Sequence, residues 1–145
     1  MTQGDCVFCK IAHHEIESRI VYEDERTLGI LDMRPRFAKG QCVVFPKKHV
    51  IHIYDLEEDD VVWLFRGVKV IAKKIEKLYN PEHVAIFVRG RTVSHAHALL
   101  FPTFPVEEDM LTQFLKPMML YNPLSQISEA ELDEIASKLR SLSIS

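Results

Sequence analysis

The sequence predicts an α+β fold, an antiparallel sheet flanked by one long helix and a C-terminal helix. Three observations predict it. Short runs rich in Val, Ile and Leu recur between charged or Gly/Pro turns. One long stretch repeats its apolar residues at helical spacing, and a shorter stretch at the tail does the same.

In chain order, a first turn carries Cys6 and Cys9, and the runs from Arg19 to Tyr22, Thr27 to Met33 and Gln41 to Phe45 read as strands. Asp55 followed by Glu58 has the spacing of a capping box. Val61, Leu64, Phe65, Val68, Ile71, Ala72, Ile75 and Leu78 then mark one helix face until Asn80-Pro81 stops it. Lys73, Lys74 and Lys77 read as the solvated face of that helix. Val84 to Val88 is a strand, Arg89-Gly90-Arg91 a turn, and His95 to Phe101 a second central strand that Pro102 ends. In the tail, about 107–145, Ser128 with Glu131 opens an amphipathic helix carrying Leu132, Ile135, Ala136, Leu139 and Leu142.

A chain of 145 residues fits one domain, 1–145, and is long enough to bury roughly two-thirds of its unfolded surface. The apolar share of 47% and charged share of 27% are those of an ordinary globular chain. A formal charge of -3 supplies no basic field, so no nucleic-acid polymer is implied as a partner. No apolar run reaches the roughly 18 residues of a membrane span, and Met1-Thr2-Gln3-Gly4-Asp5 is not a signal-peptide opening. The expected compartment is the cytoplasm, with no membrane partner.

The chemistry centres on His95-Ala96-His97. Strand alternation puts His95, His97 and Leu99 on one face and Ala96, Ala98 and Leu100 on the other. Alone, this is as consistent with two half-buried strand histidines as with a site. Cys6 and Cys9 form a Cys-x-x-Cys, and His49 follows Pro46-Lys47-Lys48. Two thiolates and two imidazoles make a closed tetrahedral zinc set, although a Cys-x-x-Cys also serves as a redox pair. Cys42 stands apart as a small buried hydrophobe, and His13, His14, His52 and His83 lack patterned partners.

The segment Val93-Ser94-His95-Ala96-His97-Ala98-Leu99-Leu100-Phe101-Pro102 resembles the signature of the histidine-triad (HIT) family, in which three alternate histidines precede apolar residues and often proline. Cys6-Val7-Phe8-Cys9-Lys10-Ile11, Val21-Tyr22-Glu23-Asp24-Glu25, Leu31-Asp32 ahead of Pro35, and Pro46-Lys47-Lys48-His49 extend the resemblance over residues 5 to about 102. It implies a HIT-like sheet and a homodimer of the Hint-like branch that binds purine nucleotides. It also implies a structural zinc on Cys6, Cys9, His49 and His95. His97 is the implied nucleophile, attacking the α-phosphorus of a phosphoramidate or dinucleoside polyphosphate to give a nucleotidyl-histidine that water hydrolyses. Its other ring nitrogen would be held by the carbonyl of His95. Asp32 falls at the ribose-binding carboxylate; Phe8, Ile11, Ile16 and Ile30 fall at the base pocket; and Thr92 falls at a hydroxyl that meets the leaving group.

The pattern is broken in three places. Leu99 stands where the third histidine belongs, Gln41 stands where many relatives have another histidine, and the Asn-x-Gly loop is replaced by Arg89-Gly90-Arg91-Thr92. Removing one donor to a developing phosphoryl charge costs about 10² to 10³ in rate, so a nucleotide-binding module of little turnover is the alternative function. Arg89 and Arg91 offer guanidinium forks to phosphate oxygens or are solvated turn residues, and the same two descriptions fit Arg34, Arg36 and Lys39.

Overall fold

The computed structural model describes residues 6–88, 93–105 and 127–144. A short helix α1 (Val7–Ala12) leads into strands β1 (Ile20–Glu23), β2 (Thr27–Leu31) and β3 (Cys42–Pro46), followed by helix α2 (Glu58–Tyr79). Strands β4 (His83–Val88) and β5 (Ala98–Thr103) and helix α3 (Glu129–Ser141) complete the described chain. All pairings are antiparallel, in the order β1-β2-β3-β5-β4, which is the predicted α+β plan.

β2 and β3 are buried at every residue because both faces of the sheet are covered. On one face Val21, Leu31, Cys42, Val44, Ala98 and Leu100 pack under Leu64, Val68, Ile71 and Ile75 of α2 and Leu132, Ala136 and Leu139 of α3. On the other, Leu28, Ile30, Val43 and Phe45 pack under Phe8, Cys9, Ile11 and Ala12 of α1. Burying one such side chain is worth roughly 1.5–3 kcal/mol. α2 lies close enough to the sheet that a Cβ at Gly29 would come within 2.2 Å of Ile71 Cδ1.

Both ends of α2 differ in how well the sequence specified them. Asn80 takes the left-handed conformation (φ 45°, ψ 52°) and its N–H returns to the Glu76 carbonyl, so Asn80-Pro81 ends the helix as predicted. The capping box does not form. Glu57 is the N-cap and offers no side-chain cap, while Asp55 closes a 3-10 turn (Ile53–Asp55) by giving its N–H to the His52 carbonyl at 3.0 Å. Glu58, Asp59 and Asp60 in the first turn oppose the helix dipole instead. The second capping box does form, with Ser128 Oγ accepting from the Glu131 N–H at 3.2 Å.

Two further expectations are corrected. Lys74 is buried, not solvated: Nζ donates to the Val21 carbonyl at 2.9 Å, and burial pulls its pKa down. β5 begins at Ala98, so His95 and His97 precede the strand; there the Ala96 N–H leaves the sheet ladder for the Val50 carbonyl at 2.7 Å. Pro102 lies within β5 and does not end it. Thr103 O faces β4, accepting from Glu82 N, so alternation turns Pro102's nitrogen toward the β3 side, past the last β3 pair, Cys42 with Leu100.

Candidate functional site

Cys6 and Cys9 flank the first turn of α1, and the bond from Ala96 N–H to Val50 lays the 93–97 segment against the chain that leaves β3. The ligand atoms of Cys6, Cys9, His49 and His95 consequently lie within 4.8 Å of one another. Cys6 Sγ is 3.3 Å from His95 Nδ1, Cys9 Sγ is 3.6 Å from the same atom, and Cys9 Sγ is 3.2 Å from His49 Nδ1. Tetrahedral zinc with ordinary Zn–S and Zn–N bonds separates such donors by about 3.5 Å. The four residues fit that ion.

The electrostatics suit a cation too. Burial, with Cys6 alongside, pushes the Cys9 thiol up to about 11. Burial also holds His95 down at about 4, and its Nε2–H donates to the Pro46 carbonyl at 2.8 Å, leaving the Nδ1 lone pair for the ion.

His97 sits next to this cluster but is not part of it. A carbonyl can only accept, so the 2.6 Å contact between His97 Nδ1 and the His95 carbonyl fixes the proton on Nδ1. In the neutral ring the lone pair is then on Nε2. Phe8 meets both imidazoles edge-on, with centroids 5.7 Å from His95 and 5.3 Å from His97, and stacks on Phe45 at 4.4 Å.

His97 lines a cleft of about 370 Å³ together with Phe8, Ile11, Ile16, Ile30 and Asp32, all sequence-predicted site residues. The apolar members can hold a flat ring, and Asp32 supplies two carboxylate oxygens. Oδ1 accepts the Arg34 N–H at 2.8 Å and Oδ2 accepts Gln41 Nε2–H at 2.6 Å, so each retains a lone pair for a vicinal diol.

Gln41 is the residue whose role sequence reasoning missed. It is 1% exposed, and while Nε2 holds Asp32, Oε1 accepts the N–H groups of Arg36 (3.3 Å) and Phe37 (3.1 Å). It ties the cleft's carboxylate to the loop that forms the cleft wall. Arg34 and Arg36 line the same cleft, whereas Lys39 is paired with Glu131 at 2.7 Å. Leu99 also lines it. Thr92, Arg89 and Arg91 lie outside the described residues. His13, His14, His52 and His83 are exposed and Cys42 is fully buried, as expected.

Residues 5–101 match the family described as scavenger mRNA decapping enzyme C-terminal binding. An uncharacterized HIT-like protein of Methanocaldococcus jannaschii is 30% identical over 139 residues, covering 93% of this chain and 98% of its own. A Hit-like protein from Bartonella henselae, described as involved in cell-cycle regulation, shares the fold with a TM-score of 0.78 at 24% identity, over 95% of this chain and 96% of its own. A zinc-bound histidine triad family protein from Mycobacterium smegmatis superposes with a TM-score of 0.73 at 26% identity, over 97% and 94%. With more than half its length matched by the family and its sheet, Cys/His cluster and histidine segment arranged as described, this chain belongs to the histidine-triad family.

Proposed function

We propose that the protein is a nucleotide-binding hydrolase or transferase that cleaves purine nucleotide conjugates at the α-phosphate through a nucleotidyl-His97 intermediate. One observation carries this reading: His97, its tautomer set by the His95 carbonyl, shares a cleft with the Asp32 carboxylate. A nucleotide lying along that cleft would place its base against Phe8, Ile11 and Ile30, its ribose diol on Asp32 and its α-phosphate at His97 Nε2. Capture on His97 splits one displacement into two easier ones. The family resemblance assigns Thr92 to the leaving group, and Arg91, where relatives carry the Asn-x-Gly loop, offers a guanidinium fork to the phosphates.

Zinc on Cys6, Cys9, His49 and His95 has a structural role in this proposal, since four protein donors leave no open coordination position. It would stiffen the backbone whose His95 carbonyl orients His97. Among the described residues β4 is the last strand of the sheet, with Ile86 and Val88 exposed, which supports a homodimer through that edge. Free cysteines suit the cytoplasm, and no helix among the described residues is long and apolar enough to cross a membrane.

The test is a quenched reaction with an adenosine conjugate carrying label on its α-phosphate. Label on His97, and loss of turnover on the order of 10³-fold or more in His97→Ala, supports the proposal. Leu99 and Gln41, in place of histidines, favour the second reading, a nucleotide-binding module without useful catalysis. Tight nucleotide binding with neither label nor turnover would establish that one.

A further inference from the structure

The floor of the cleft is a row of register partners that crosses the sheet. Leu99 of β5 pairs with Val43 of β3, Val43 with Ile30 of β2, and Ile30 with Ile20 of β1. The first three line the cleft, while Ile20 lines a second cavity of about 570 Å³. Neighbouring strands lie about 4.8 Å apart, so the three steps from β5 to β1 span about 14 Å. That leaves room for a nucleotide laid with its phosphate at His97 and its base toward β1.

The two cavities meet at Ile16, Glu17, Ser18 and Met33, which line both. Ile16 and Met33 are large apolar side chains left 41% and 54% exposed, and a flat base lying between the cavities would cover them. Beside them, the Glu17 carboxylate has no hydrogen bond or ion pair among the described residues. The carboxylates of the second cavity are already committed, since Glu129 and Asp133 each hold Arg19 at 2.7 Å. Glu17 keeps both of its oxygens for a base resting against Ile16 and Met33.

Resting on the nucleotide reading above, we infer that Glu17 selects guanine over adenine, so that the preferred substrates are conjugates of guanosine 5′-phosphate. An ionised carboxylate only accepts, through two oxygens side by side. The Watson–Crick edge of guanine carries two adjacent donors, N1–H and the N2 amino group, and can give each oxygen one bond in a single plane. Adenine sets its N6 amino group beside N1, which is a lone pair. One carboxylate oxygen would then face that lone pair without a proton between them. Hypoxanthine keeps N1–H but lacks the amino group, so it ranks between the two. A bidentate contact of this kind discriminates between bases by about tenfold or more.

The experiment measures the affinity of the wild-type chain for GMP, IMP and AMP by titration calorimetry, then repeats it with Glu17→Gln and Glu17→Ala. The expected order for the wild type is GMP, IMP, AMP, with about tenfold between first and last. A glutamine amide donates through Nε2 and accepts through Oε1, which suits N1 and N6 of adenine. Glu17→Gln should therefore bring GMP and AMP within about twofold of each other or reverse their order, and Glu17→Ala should bring all three nucleotides within about twofold. Because Glu17 is exposed and makes no bond within the described fold, both variants are expected to melt with the wild type. A wild type that binds GMP and AMP equally, or AMP more tightly, would overturn the inference even without the variants, and leave the nucleotide reading standing. A guanine preference that persists in both variants would overturn it as well. Failure of the wild type to bind any of the three would remove both readings.

Discussion

Gln41 stands where a histidine would serve poorly. A neutral imidazole offers one donor and one acceptor lone pair, whereas the Gln41 amide accepts from both Arg36 and Phe37 while donating to Asp32. Gln41→Leu removes three hydrogen bonds to partly buried groups, at about 0.5–1.5 kcal/mol apiece. The expected outcome is a melting temperature lower by several degrees and weaker nucleotide binding, measured by calorimetry; unchanged affinity would remove Asp32 from the ribose site. Just ahead of it, Gly40 has φ +84° and would carry a Cβ only 2.4 Å from the Tyr79 ring. Gly40→Ala therefore combines a backbone cost of about 1–2 kcal/mol with a displaced ring, and thermal melts should register both. Donor residues such as Cys6, Cys9, His49 and His95 were legible because their chemistry names them. The bridge made by Gln41 was not, since its partners are chosen by how the 32–37 loop folds. Lys74 was legible and misread: it is one turn from Ile71 and from Leu78, on the buried stripe, and only its charge argued for solvent.

α1 and its N-cap residue carry parts of both the Cys/His cluster and the cleft. Cys6 and Cys9 bracket Phe8, which walls the nucleotide cleft and rests on the His97 ring. So short a helix is not stable by itself in water, so the metal is expected to hold it in place. Chelation, or Cys9→Ser, should lower the melting temperature and also weaken nucleotide binding; an apo protein that keeps full affinity would separate the two. The pH dependence follows from the thiols. Without metal the Cys9 thiol lies near 11, so loading zinc at neutral pH expels a proton, and protons compete with the ion. Zinc affinity should rise with pH, by up to about tenfold per unit for each proton released, as read by chelator competition between about pH 6 and 8. At this scale the strands and both long helices were legible from apolar period. The start of α2 was not, because Asp55 satisfies a local 3-10 turn before it can cap the helix.

Across the molecule, the two edges of the sheet are treated differently. α3 packs beside β1, with Arg19 bonded to Glu129 and Asp133 at 2.7 Å each, while β4 leaves Ile86, Val88 and neighbouring Phe65 exposed. Ile86→Lys should convert a dimer to monomer in analytical ultracentrifugation while zinc content is retained; a wild-type monomer would exclude pairing through β4. The fold class was legible because both helical stretches and all five strands announce themselves locally. The order of the strands was not, since β5 inserting between β3 and β4 depends on contacts between distant residues. The two faces of the sheet also differ in what covers them: a 22-residue helix with α3 on one, a six-residue helix on the other. Native proteins open in units of unequal stability. Amide hydrogens of α1 should therefore exchange through a partial opening whose free energy tracks zinc concentration, while those of β3 and α2 exchange only when the whole chain unfolds. The cleft would then be lost and regained many times within the lifetime of one folded molecule.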